Sequence, residues 1–125
     1  MQDSRDGRIV MLVEDDAAVR GALARFLDLH GFGVACASTA DEAFAVLRTR
    51  RLAAAVVDLQ LSEGSGRDVV VQVPQPIPVI IFSGAPGQSG QLERLRPRTR
   101  LICKPYSLLL VIDTLRSLLE PKAGL

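Results

Sequence analysis

The stretch "RIVMLVEDD", Arg8 to Asp16, joins an unbroken apolar run, Ile9–Val13, to three successive carboxylates, Glu14, Asp15 and Asp16. A continuous β-branched and apolar run marks a strand buried on both faces of a sheet. Such a strand has no structural need of that much negative charge at its tip. The run speaks for the fold, and the acids raise the question of what they hold.

Working outward, the pattern returns twice. Leu52–Val57 is apolar throughout and stops at Asp58, and Val79–Phe82 stops at Ser83. Phe32–Ala37 and Leu101–Cys103 read as two further strands. Helical spacing fills the intervals. Asp16 can cap a helix carrying Val19, Leu23, Phe26 and Leu27 inward until His30-Gly31 stops it. Thr39 to Glu42 forms a capping box before Ala43, Phe44, Val46 and Leu47. A short helix near Arg67–Val73 cannot run on through Pro74, Pro76 and Pro78. A brief one fits Gln91–Leu95, and Ser107 caps a last one over Leu108–Leu119. Strands alternating with helices predict one doubly wound α/β domain over residues 1–125, with its core at about 8–119. Function in such sheets collects at the carboxyl ends of the strands.

Composition narrows the classes. A chain of 125 residues, 48% hydrophobic, can bury a real core. A net charge of +1 gives no general pull toward nucleic acid or a membrane. Cys36 and Cys103 are too few for a disulfide scaffold and wrongly spaced for zinc. No signal peptide or membrane-length apolar run is visible, so the expectation is cytoplasmic, with no membrane partner.

The strand ends carry Glu14 and Asp15, Asp58, Ser83 and Lys104. Each alone could be a helix cap or a solvated loop residue. Together, one set per strand end, they are hard to obtain by capping. At this point the chain resembles the receiver domains of two-component response regulators. The matching pieces are "LVEDD", "VVDLQL", "IIFSG" and "CKPY", in order, over about Arg8 to Leu119. The resemblance implies a flavodoxin-like (βα)5 sheet of strand order 2-1-3-4-5. It implies that Asp58 accepts a phosphoryl group from a sensor histidine kinase or phosphotransfer protein. It implies Mg²⁺ held by Glu14, Asp15, Asp58 and the Gln60 carbonyl, oxygen donors that suit a hard cation. Lys104 and Ser83 would contact phosphoryl oxygens, Ser83 and Tyr106 would form a switch, and the bond before Pro105 would be cis. A trans proline opening the last helix and an ordinary half-buried tyrosine are the alternatives. On this reading the protein is a signalling phosphoacceptor that assists its own phosphoryl transfer and dephosphorylation, not an enzyme in the usual sense. A downstream protein partner and a homodimer are both compatible with it. A degenerate receiver that binds a partner without phosphorylation is the second reading.

Some features depart from the family. Ser62 stands where a proline is usual, and the Pro74–Pro78 run shortens the third helix. The Gly84–Pro97 segment is rich in Gly and Pro, with Leu92 and Leu95 its chief apolar residues. It is expected to be the most mobile part, ordering on phosphorylation. Other sites fit less well. Gly84, Gly87 and Gly90 are followed by no Gly-Lys-Ser/Thr, and Gly31-Phe-Gly33 precedes a strand. An aspartate-nucleophile hydrolase would carry a second Asp where Gln60 stands. His30 suits capping a helix end. Arg94, Arg96, Arg98 and Arg100 read as a solvated basic edge, without the aromatics or helix-turn-helix that would point to nucleic acid. With no room for an output domain, the expectation is a stand-alone or excised receiver.

Overall fold

The computed structural model describes residues 8–85 and 87–120. Among these, five strands alternate with five helices: β1 (Ile9–Val13), α1 (Ala17–Leu29), β2 (Gly33–Ala37), α2 (Ala40–Thr49), β3 (Ala54–Asp58), α3 (Gly66–Gln72), β4 (Val79–Ser83), α4 (Leu92–Leu95), β5 (Thr99–Cys103) and α5 (Leu108–Leu119). The strands form one sheet in the order β2-β1-β3-β4-β5, and every pairing is parallel. This is the doubly wound, flavodoxin-like arrangement expected from the sequence.

Side chains of a strand alternate between faces, and here both faces are covered. Val10 and Leu12 of β1 point into a cluster with Leu23 and Leu27 of α1 and Ile112 and Leu115 of α5. Met11 and Val13 point the other way, among Ala43 of α2 and Val69 and Val70 of α3. Burying each such side chain contributes about 1.5–3 kcal/mol. That two-sided burial is why β1 and β3 show no polar alternation.

Local chemistry fixes the helix starts. Asp16 Oδ1 accepts from the Ala18 and Val19 amides at 2.9 and 3.1 Å, and Ser107 Oγ accepts from the Leu110 amide at 3.1 Å. In α2, Thr39 Oγ1 accepts from the Glu42 amide at 3.1 Å. The returning arm of the expected box is displaced by one residue. Glu42 Oε1 takes the Ser38 amide at 2.6 Å and the Ser38 hydroxyl at 2.8 Å. Those bonds, the backbone one first, hold the Glu42 carboxyl below its ordinary value. At the start of α3, Gly66 lies against the end of β3. A Cβ there would stand 2.4 Å from the Asp58 carbonyl oxygen, so only glycine lets α3 come this close.

Several sequence expectations need correction. Val19 does not point inward; it is 37% exposed, and Leu95 is 72% exposed, leaving Leu92 as the one buried apolar residue of α4. The arginines before β5 are not a uniformly solvated edge. Arg96 is buried, and its Nη2 donates to the Ile77 carbonyl at 2.6 Å and the Pro74 carbonyl at 3.3 Å. Arg98 donates to the carbonyls of Pro76 and Leu118. The Pro-rich connection before β4 has few amide donors of its own, and these two guanidinium groups bond its carbonyls. Arg94 and Arg100 are exposed, and among the described residues neither makes such a bond.

Candidate functional site

The carboxyl ends of β1, β3, β4 and β5 meet on one rim. In the sheet register Asp58 stands beside Phe82, and Ser83 beside Cys103. The chain leaves β1 through a bond from the Glu14 amide to the Ala37 carbonyl at 3.0 Å, and leaves β5 through one from the Lys104 amide to the Ser83 carbonyl at 2.9 Å. These bonds carry Glu14 and Lys104 onto the rim. Glu14, Asp15 and Asp58 each place a carboxylate oxygen within 4.8 Å of the others. Lys104 Nζ lies 2.6 Å from Asp58 Oδ2, while Asp58 Oδ1 accepts from the Gln60 amide at 2.8 Å. Asp58 is 1% exposed and the Lys104 side chain 32%, so the ammonium enters from the wet side.

Crowding shows in the titration behaviour. Burial pushes the Glu14 carboxyl up to about 7, with the Asp58 charge adding to the rise and the Asp16 amide, 3.1 Å from Oε2, opposing it. Burial would also raise Asp15, but the hydrogen bonds from Ser62 outweigh it and hold that carboxyl below its usual value. The Ser62 amide reaches Asp15 Oδ2 at 2.9 Å. Ser62, which replaces the usual proline, therefore supplies a backbone donor that proline lacks. Three hard oxygen donors with one ammonium between them form an acidic pocket whose chemistry fits a divalent cation such as Mg²⁺.

A cleft of about 730 Å³ opens over this pocket, running past Lys104, Pro105 and Tyr106 to Val19 and Ala22 of α1. The Lys104–Pro105 bond is cis, as is Gln75–Pro76. Tyr106 packs its ring on that of Phe82, and burial, then the charges of Glu14 and Asp58, push its hydroxyl up to about 12. Ser83 is wholly buried, and its hydroxyl does not bond Asp58. It is turned into its own loop, toward the Ala85 carbonyl at 2.8 Å and Gln88 Oε1 at 2.9 Å.

Sequence reasoning brought Glu14, Asp15, Asp58, Lys104, Ser83 and Tyr106 to this rim; in the structure all but Ser83 line the cleft, and Ser83 ends β4 with its hydroxyl turned into the following loop. It missed Gln88, a lone amide in a Gly-rich loop. It also missed Arg67, which donates from α3 to the Ser89 carbonyl. Neither residue carries a spacing or composition signal.

A family model described as "Response regulator receiver domain" matches residues 10–100. The chain belongs to that family. Among curated proteins, this receiver domain is 43% identical over 61 residues to the acid tolerance regulatory protein ActR of Rhizobium meliloti (strain 1021), covering 49% of this chain and 31% of the relative. It is 34% identical over 80 residues to the photosynthetic apparatus regulatory protein RegA of Rhodobacter capsulatus, covering 62% of this chain and 44% of RegA. The receiver thus spans less than half the length of these relatives. Among solved structures it resembles a CheY-like receiver domain protein from Methanospirillum hungatei JF-1, with a TM-score of 0.80 at 20% identity over 90% of this chain and 93% of that one. Among the described residues of the receiver, no helix is long and apolar enough to cross a membrane.

Proposed function

We propose that the receiver is a phosphoacceptor, and that Asp58 takes a phosphoryl group from a phosphohistidine on a sensor kinase or phosphotransfer protein. The observation that carries this reading is the buried Asp58 carboxylate at the floor of an open cleft, with Lys104 Nζ at 2.6 Å and two further carboxylates beside it. In the transfer, the phosphorus–nitrogen bond of the donor breaks as a bond forms from phosphorus to a carboxylate oxygen of Asp58. The imidazole leaves with the electron pair and takes a proton from solvent. Positioning and charge stabilisation supply most of the catalysis in such a step.

Glu14, Asp15 and Asp58, with the Gln60 carbonyl, are the residues that would hold Mg²⁺. When bound, the ion offsets negative charge on phosphoryl oxygens. Lys104 orients Asp58 at rest and is free, on its long stem, to follow a phosphoryl oxygen with a charge-assisted bond. Ser83 and Tyr106 are the residues proposed to answer the change, signalling to a downstream protein partner. The complete set of acids, hydroxyl and ammonium supports this reading over an interaction module that works without phosphorylation.

Incubating the chain with acetyl phosphate and Mg²⁺ tests it. One phosphoryl group, labile to hydroxylamine, is expected on the native chain and none on a folded Asp58→Asn variant. Equal labelling of that variant would reject Asp58 as the acceptor.

A further inference from the structure

The two donors at the carboxyl end of β4 are both engaged by the same side chain. Ser83 Oγ lies 2.9 Å from Gln88 Oε1, and the Gly84 amide donates to that oxygen at 2.8 Å. A carbonyl oxygen has two lone pairs, so Gln88 Oε1 can accept from both at once. The Ser83 hydroxyl carries one proton and also has the Ala85 carbonyl at 2.8 Å, so it serves one of the two oxygens at a time. Phe82 is the register neighbour of Asp58, which makes Ser83, the last residue of β4, and Gly84 just after it the next two residues outward. Meanwhile the Asp58 oxygens take their bonds from Gln60 and Lys104. The two donors that follow the register neighbour of Asp58 are therefore present at the rim and capped by a neutral amide.

We propose that Gln88 is a positioning residue whose side-chain carbonyl holds Ser83 and the Gly84 amide in reserve, and that a tetrahedral oxyanion on Asp58 must displace it to recruit them. This rests on the reading of Asp58 as the phosphoacceptor. The exchange is selective for anions. Hydrogen bonds to a charged acceptor are roughly twice as strong as those to a neutral one, so a phosphoryl oxygen competes where a neutral ligand does not. Gln88 is only half-buried, and its amide can return to water once released. The result is a threshold on anion binding that leaves cation binding at the acidic pocket untouched.

Beryllofluoride, a phosphoryl mimic, provides the probe, titrated into the whole chain with saturating Mg²⁺. Gln88→Ala should bind it about five- to tenfold more tightly than the native chain, the worth of one net hydrogen bond. Its affinity for Mg²⁺ alone should not change. The isosteric Gln88→Glu, a stronger acceptor of like charge to the anion, should bind beryllofluoride more weakly. The Gly84 amide proton gives a spectroscopic signature, because removing its acceptor in Gln88→Ala should move its resonance before any anion is added. Should Gln88→Ala disturb the loop, Gln88→Glu decides alone, since it keeps the shape. Native binding with no gain in Gln88→Ala and no loss in Gln88→Glu overturns the role of Gln88 and leaves the phosphoacceptor reading standing. If the native chain binds no beryllofluoride with Mg²⁺, both fall.

Discussion

The ring of Tyr106 lies on the ring of Phe82, with centroids 4.2 Å apart and planes 13° from parallel, and Phe82 is the register neighbour of Asp58. The tyrosine thus rests on the residue between the acidic pocket and Ser83. Burial first, and then the charges of Glu14 and Asp58, push its hydroxyl up to about 12. Tyrosine is neutral when protonated, so the folded state holds this proton more tightly than the unfolded chain, where the pKa is about 10. The associated stability is complete below about pH 10 and is lost as pH rises through the folded value of about 12. This is the only tyrosine, and the chain has no tryptophan, so its phenolate absorbance can be followed directly. The expected midpoint is well above 10 and falls in Asp58→Asn; a midpoint near 10 in the native chain would mean the ring is not held here.

Three clustered carboxylates against one ammonium leave the pocket short of positive charge. A divalent cation that binds only the folded form should raise thermal stability by mass action. At a concentration of 100 times its Kd the gain is about 2.7 kcal/mol, a shift of several degrees for a domain of this size. Asp15→Ala should abolish the Mg²⁺ dependence while its own unfolding stays cooperative. A melting temperature indifferent to millimolar Mg²⁺ would count against the pocket as a cation site.

Most of the site was legible because a residue that ends an apolar run in a parallel sheet must project onto the carboxyl rim. Asp58 and Ser83 needed no further information, and Glu14 and Lys104 lie one residue beyond their strands. Helix caps with short local bonds, Asp16 and Ser107, were equally plain. What escaped were bonds to backbone carbonyls. Arg96 to Ile77 and Arg67 to Ser89 join a side chain to groups every residue possesses, so no residue type announces the partner. Periodicity also overstated burial at Val19 and Leu95. Val19 lines the cleft, and Leu95 sits on a helix of four residues, too short to turn a second face to the sheet.

The arginine assignments separate cleanly by mutation. Arg96→Leu removes the donor from the Ile77 and Pro74 carbonyls in a buried site, and an unsatisfied buried acceptor costs about 1–3 kcal/mol. Arg94→Ala, on the exposed face of α4, should stay within about 0.5 kcal/mol of the native chain. Urea unfolding compares the two through their midpoints at equal slope. Equal losses would restore the view of a uniform basic edge.

The α4 segment tests how a short helix stays in place without apolar area. Leu92 is its one buried large residue, and a helix of four residues is far below the length that persists on propensity. Polar bonds do the fastening. Arg67 donates to the Ser89 carbonyl, and Ser89 Oγ donates to Glu93 Oε1 at 3.1 Å. Ser89 is only 3% exposed, so its carbonyl loses its partner in a place water reaches poorly when Arg67 is cut back. Segments held this way open locally at low free energy while the sheet stays closed. In hydrogen exchange, amides of residues 90–96 should therefore exchange faster than those of β4 even in the native chain. Arg67→Ala should speed them further, by roughly fivefold to tenfold for a lost net bond of about 1 kcal/mol, with β4 and β5 amides unchanged. Uniform acceleration across the sheet would show instead that Arg67 supports the whole domain, and no acceleration at 90–96 would show that Leu92 alone is sufficient.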